Sequence, residues 1–187
     1  MSKPVLQVVV SSVRPDRVSP IVTDWFVEEA RKHGAFEVEA TDLAELNLPL
    51  MDEPNHPMMQ AYQHEHTKRW AKIVERSDAF VFVMPEYDHG YPAPLKNAID
   101  YLFKEWAYKP VSFVSYGGVS AGLRAVQQLK PVLSALKMIP ITEQVMIPMI
   151  GQHIADGKFV PNEIIAESVA PALDELVKLE GVLATLR

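Results

Sequence analysis

Apolar positions along this chain switch between two periods, and the switches mark its elements. Val5 to Val10 is a nearly continuous β-branched run, the pattern of a strand covered on both faces. A polar loop follows from Ser11 to Ser19. Ser19 then reads as an N-cap with Pro20 at the first helical position, and the helix runs to about His33, with Gly34 as its stop. Phe36 to Ala40 alternates in polarity and predicts a second strand at a sheet edge. Residues 46–59 hold three prolines and little pattern, so they read as a loop. Glu65 to Ser77 is helical, and Ala79 to Met84 is another apolar β-rich run. From Pro94 or Leu95 a helix carries apolar residues at 95, 98, 99, 102, 103 and 106. Val111 to Tyr116 is a fourth strand, ended by Gly117-Gly118. Ser120 reads as the cap of a helix with Leu123, Val126, Leu129, Leu133 and Leu136 on one face, kinked at Pro131. Met138 to Ile147 is the fifth strand region. Asp156-Gly157 signals a hairpin, and a last amphipathic helix lies within 161–186, bent at Pro171.

Five strand–helix units predict an α/β protein with a parallel sheet covered on both faces. Right-handed crossovers reduce this to a doubly wound three-layer sandwich, with residues 1–187 as one domain; with its five-stranded parallel sheet in the order 2-1-3-4-5, strands one and three flank the switch point. In such folds ligands sit beyond the carboxyl ends of the strands, at the switch point. The loops 11–19, 85–94 and 115–120 leave those ends and would line one crevice.

Composition narrows the function classes. Of 187 residues, 48% are hydrophobic, too many for a disordered chain. Lys and Arg number 18 against 24 Asp and Glu, a net charge of −6 that argues against a nucleic-acid or anionic-membrane binder. There is no cysteine, which excludes disulfides, iron–sulfur and thiolate–zinc ligation and a cysteine nucleophile, and fits a cytoplasmic protein. No apolar run approaches the ~20 residues that span a bilayer. The first apolar stretch is short, holds Gln7, and is followed by Arg14, Asp16 and Arg17 rather than a signal-peptide cleavage site.

The three loops carry the candidate chemistry. The first, Ser11 to Ser19, offers hydroxyls at Ser12 and Ser19, guanidinium groups at Arg14 and Arg17, and the amides of a helix start around Val18. These are the donors a phosphate needs, and they are also what a solvated turn holds. The sequence is neither a Walker loop nor a Gly-x-Gly-x-x-Gly fingerprint. The second loop, with Pro85, Glu86, Tyr87 and Asp88 ahead of Gly90, Tyr91, Pro92 and Pro94, is stiff and partly apolar. It suits the edge of a planar heteroaromatic ligand, or a rigid connector whose aromatics cap the core. The third, Ser115-Tyr116-Gly117-Gly118, permits close backbone approach of a ligand, or simply a tight turn.

Together these motifs resemble the NADPH-dependent FMN reductases of the flavodoxin-like superfamily, which include quinone, azo and chromate reductases. The family's Gly-Ser-x-Arg loop stands here as Ser11-Ser12-Val13-Arg14, and its Pro-Glu-Tyr-Asn signature as Pro85-Glu86-Tyr87-Asp88. Downstream come Leu95 to Asp100, its Ser-Tyr-Gly-Gly loop at Ser115 to Gly118, and a Gly-x-Arg-Ala element at Gly122 to Ala125. The resemblance implies a flavodoxin-like fold. It also implies that Ser12, Arg14, Arg17, Val18 and Ser19 hold an FMN phosphate. Pro85, Glu86, Tyr87 and Asp88 would line the isoalloxazine edge, and Ser115, Tyr116, Gly117 and Gly118 its pyrimidine side. Ser11, Asp16 and Asp88 depart from the family's usual glycine, glycine and asparagine.

The implied activity is transfer of a hydride from NADPH to bound FMN and on to a small acceptor, by a homodimer or homotetramer with Tyr91 as a candidate contact. No catalytic side chain and no metal are expected. The alternatives are a flavin-binding electron carrier or regulatory module without its own NADPH oxidation, and a phosphoester-binding protein without flavin. His56, His64 and His66 do not read as a metal site, because positions i and i+2 of a helix face different sides.

Overall fold

In the computed structural model, which describes residues 3–187, the β-branched runs assemble into a twisted parallel sheet. Its strands are β1 (Val5–Val10), β2 (Glu37–Asp42), β3 (Ala79–Pro85) and β4 (Pro110–Tyr116), with β5 (Ile139–Pro140) and β6 (Val145–Ile147) sharing the fifth position. The order is β2-β1-β3-β4-β5, with β6 also on β4, which matches the order expected from the sequence. Register brings Val10 level with Asp42 and Val83, and Pro85 level with Tyr116, so the carboxyl ends form one rim. The fifth strand is split. Pro140 has no N–H for the ladder, and the chain bulges through 142–144 before β6 pairs with Tyr116. Ser112 Oγ donates to the Glu143 carbonyl at 2.8 Å and holds the bulge against β4.

The central strands are buried along their whole length because helices cover both faces. On one face lie α1 (Ser19–His33), α6 (Glu163–Glu167) and α7 (Val169–Leu183), where Phe26, Ile165, Leu173 and Leu176 meet Val8, Val81, Val83 and Val114. On the other lie α3 (Glu65–Arg76), α4 (Ala93–Asp100) and α5 (Leu123–Ala135), where Trp70, Trp106 and Leu129 meet Phe80, Phe82 and Phe113. A short helix α2 (Leu43–Leu46) follows β2. The hairpin β7 (Ile154–Ala155) and β8 (Lys158–Phe159) turns at Asp156-Gly157, both with positive φ, as that dipeptide predicts. Among the described residues no helix is long and apolar enough to cross a membrane.

Four helix boundaries differ from the sequence reading, and for α1 and α4 the cause is a tertiary hydrogen bond. α1 begins at Ser19 itself, with Val18 at the N-cap, because the Ser19 hydroxyl bonds Tyr116 across the sheet. α4 ends at Asp100 rather than running to 106. The indoles of Trp70 and Trp106 donate to the carbonyls of Ala98 and Ile99, at 2.8 and 3.1 Å, and so terminate it. Leu102 and Trp106 still reach the core through a 3-10 turn at Lys104–Trp106. α5 starts at Leu123, after Gly122, and passes through Pro131 to Ala135, while Leu123 is exposed. The C-terminal helix breaks at Ser168 and not at Pro171, which falls in the first turn of α7, where a missing N–H costs nothing.

Candidate functional site

The loop after β1 is stitched to the sheet before it turns outward. Ser11 donates to the Val83 carbonyl through both its amide (3.1 Å) and its hydroxyl (2.7 Å), so this departure from the family's glycine faces the core, not the crevice. Ser12 is buried, with its hydroxyl 2.8 Å from that of Tyr87. Asp16, the second departure, is exposed and has φ 54, a left-handed conformation that aspartate tolerates and glycine favours.

The start of α1 has no side-chain cap and no acidic residue in its first turn. The amides of Arg17, Val18 and Ser19 have no acceptor among the described residues. Arg14 has no ion-pair partner there either, whereas Arg17 pairs with Asp42, a carboxylate that also caps α2 by accepting from the Ala44 amide. The positive charge at the helix start therefore comes mainly from Arg14 and the α1 dipole.

The loop after β3 is a small hairpin. Tyr87 and Gly90 exchange backbone hydrogen bonds of 3.0 and 2.8 Å around Asp88 and His89, both with positive φ. Glu86 anchors it. Its carboxylate accepts from Ser120 Oγ (3.0 Å), from the Arg124 amide (3.1 Å) and from the Arg124 guanidinium (2.8 Å). Burial alone would raise the Glu86 pKa, but these donors and the nearby positive charge hold it below the ordinary value. This explains why Ser120 does not cap a helix: it binds the loop of the neighbouring strand. A lowered native pKa stabilises the fold above the unfolded value of 4.5, and that contribution fades as pH falls through the native value. Glu86→Gln keeps an acceptor but removes the charge. It is expected to lower stability at pH 7 by about 1–2 kcal/mol and to flatten the acid limb of a denaturation-midpoint-against-pH curve. An unchanged acid limb would remove Glu86 from this role.

The loop after β4 closes the crevice. Gly117 donates to the Ile147 carbonyl (3.3 Å), while Ile150 and Met149 donate to the carbonyls of Gly117 and Gly118 (3.0 Å each). Ser115 Oγ is buried without a hydrogen-bond partner among the described residues. Tyr116 is buried and bonded to Ser19, and burial pushes its phenol pKa well above the ordinary value.

Two adjoining hollows with shared walls result, of about 230 and 510 Å³, and the larger is of the size of a small-molecule site. Arg14, Glu86 and Tyr87 line both. Arg17, Val18, Pro85, Tyr116 and Gly117 line the first, and Asp88 the second. Ser12, Ser19 and Ser115 lie buried behind them, and Gly118 sits exposed at the rim. Pro92 and Pro94 of the stiff second loop also line the larger hollow, as does Val13, while Ile150, which lines the smaller, lies outside the three loops singled out from the sequence. Ile150 follows β6, so the carboxyl-end rule applied to the fifth strand would have found it.

The histidine argument needs correction. His64 is the N-cap of α3 rather than a helical residue, and its ring stacks on His66 at 5.1 Å. The two rings are instead spent on Asp52, through its carbonyl and its carboxylate. Among the described residues no group of three His, Cys, Asp or Glu is placed to hold a metal.

A doubly wound sheet with an uncapped, arginine-flanked helix start at its switch point defines a flavodoxin-like protein with a helix terminus suited to an anion. The sequence profile of the NADPH-dependent FMN reductases matches residues 5–152, and the chain belongs to that family of NAD(P)H- and FMN-dependent oxidoreductases. An NAD(P)H-dependent FMN reductase of Schizosaccharomyces pombe is 43% identical over 137 residues, covering 72% of this chain and 68% of the relative. One from a Nectria species is 34% identical over 193 residues, 97% of this chain and 92% of the relative. Proteins named as an NADPH azoreductase and as NADPH:quinone oxidoreductases are also similar. The flavoenzyme FerB, an NAD(P)H:acceptor oxidoreductase of Paracoccus denitrificans, shares the fold with a TM-score of 0.77 at 23% identity, over 95% of this chain and 97% of that one. These relatives do not favour an electron carrier lacking its own NADPH oxidation.

Proposed function

We propose that this protein binds FMN in the crevice and oxidises NADPH there, reducing a small acceptor such as a flavin, quinone, azo or nitro compound or metal oxyanion. The observation that carries the reading is the convergence of three loops on hollows that share Arg14, Glu86 and Tyr87. The residues present fit the cofactor: unbonded amides at the α1 start, an unpaired Arg14, an unsatisfied Ser115 hydroxyl, and a glycine loop open at Gly118, where an added Cβ would meet nothing.

In this reading the amides of Val18 and Ser19, the hydroxyls of Ser12 and Ser19, and the Arg14 guanidinium bind the phosphate, with Arg17 shared with Asp42. Pro85 to Asp88 and Ser115 to Gly118 orient the ring system from two sides, kept in register by the Glu86–Arg124 clamp. FMN held by these residues would supply the hydride chemistry that links NADPH to the acceptor. Asp88, exposed at a turn, offers a carboxylate in place of an amide donor and so disfavours added negative charge nearby. No side chain of the crevice is required as an acid or base.

The protein also reads as cytoplasmic and as a homodimer or homotetramer. Support for assembly comes from the exposed apolar residues Val13 and Leu50, which line a hollow beside the crevice. Tyr91 is half-buried against the core, so it offers less contact area than its loop position suggests. Light scattering giving a monomer mass would exclude assembly.

The test of function is the visible spectrum of the purified protein after FMN is added and free flavin removed. Bands near ~370 and ~450 nm that bleach on anaerobic NADPH addition are expected. Flavin retained but unbleached would leave only binding, and no retained flavin would sink the reading.

A further inference from the structure

The two serines assigned to the phosphate are already engaged, and by the residues assigned to the ring. Ser12 Oγ is 2.8 Å from the hydroxyl of Tyr87, 75 residues away, and Ser19 Oγ is hydrogen-bonded to the hydroxyl of Tyr116, 97 residues away. Both serines are fully buried. Each pair thus joins the phosphate end of the crevice to one of its ring-lining loops.

A hydroxyl has one proton and two lone pairs. A serine that donates to its tyrosine has no proton left for an anion. A serine that accepts from its tyrosine keeps its proton free, and the incoming bond polarises it further. An anion at the start of α1 needs donors, so it selects the second arrangement in both pairs. That choice fixes the phenol protons toward the serines and with them the positions of Tyr87 and Tyr116. Burial favours the neutral Tyr116 phenol, which keeps the proton this arrangement requires.

We propose that Tyr87 and Tyr116 couple the two ends of the flavin site. A phosphate at α1 orients both Tyr→Ser hydrogen bonds, and the oriented tyrosines tighten binding of the ring portion. The protein then selects FMN over riboflavin by more than its contacts to the phosphate. This rests on the flavin reading above.

The experiment titrates apoprotein with riboflavin, with and without saturating inorganic phosphate at constant ionic strength, alongside FMN. Phosphate is expected to tighten riboflavin binding about 10-fold in the native protein, and riboflavin to tighten phosphate binding by the same factor. The factor should fall to about 3 in Tyr87→Phe and in Tyr116→Phe, and close to 1 in the double variant, whatever change each substitution brings to riboflavin affinity without phosphate. Tyrosines that only pack would change riboflavin affinity equally with and without phosphate, and that result overturns the proposal. So does a native factor of 1 in a protein that binds FMN. Should Tyr116→Phe fail to fold, Ser12→Ala tests the other pair alone and must also lower the factor. A native protein that binds no FMN instead overturns the flavin reading itself.

Discussion

Arg14→Gln is expected to weaken FMN binding by about 100-fold, close to 3 kcal/mol, while leaving riboflavin binding nearly unchanged. Arg14 lines both hollows and has no ion-pair partner among the described residues. Its charge is therefore available to a ligand at no cost in broken contacts. Arg17 differs, because Asp42 already offsets it, and Arg17→Gln should cost FMN affinity less. Salt dependence separates the two effects. The fall of FMN affinity with ionic strength should become shallower in Arg14→Gln, since one phosphate contact has lost its charge. Arg14→Lys keeps the charge without the planar fork and should lie between, near 10-fold. The measurement is flavin fluorescence quenching for FMN and riboflavin in parallel. Equal losses for both flavins would show that Arg14 shapes the loop rather than binds the phosphate.

Gly122→Ala is expected to lower stability by about 3 kcal/mol and to weaken FMN binding at least 10-fold in the protein that still folds. Gly122 has φ +79, and an added Cβ would lie 2.9 Å from the Tyr116 amide nitrogen and 3.0 Å from both the Tyr116 oxygen and Ser115 Cβ. Two of these neighbours are backbone atoms of β4 and cannot rotate away. The loop 117–122 must lift off the strand, and Ser120 and Arg124 move with it, which loosens their hold on Glu86. Gly118→Ala is the control, because a Cβ there meets nothing. A denaturant midpoint and an FMN affinity that both match the native protein would show that the loop yields freely and is not the rigid wall described above.

The sheet was legible because β1, β3 and β4 are covered on both faces, so burial writes an apolar run interrupted only by Gln7, Ser112 and Ser115. The crevice was legible because the strand order alone brings three loops together. Local caps were the unreliable signal. Ser19 and Ser120 carry the right side chain at the right place, yet each bonds a partner on another strand's loop. Side-chain hydrogen bonds over long sequence distances outcompete local ones here, and no spacing rule records them. The end of α4 was hidden for a similar reason, since two indoles take its last carbonyls while the apolar spacing continues unchanged. His64 and His66 show the reverse error: a helical rule was applied to a residue outside the helix.

The family match stops at residue 152, whereas α7 occupies 169–183 and lays Leu173 and Leu176 over Val81 and Val83. The matched stretch thus carries the whole crevice but only part of the cover of the sheet that supports it. Cut at that limit, the chain would keep α1 on this face but expose the part of its most apolar strands that α7 covers to water and to other chains. The region by which kinship is recognised thus ends before the helix that completes the cover of this sheet face.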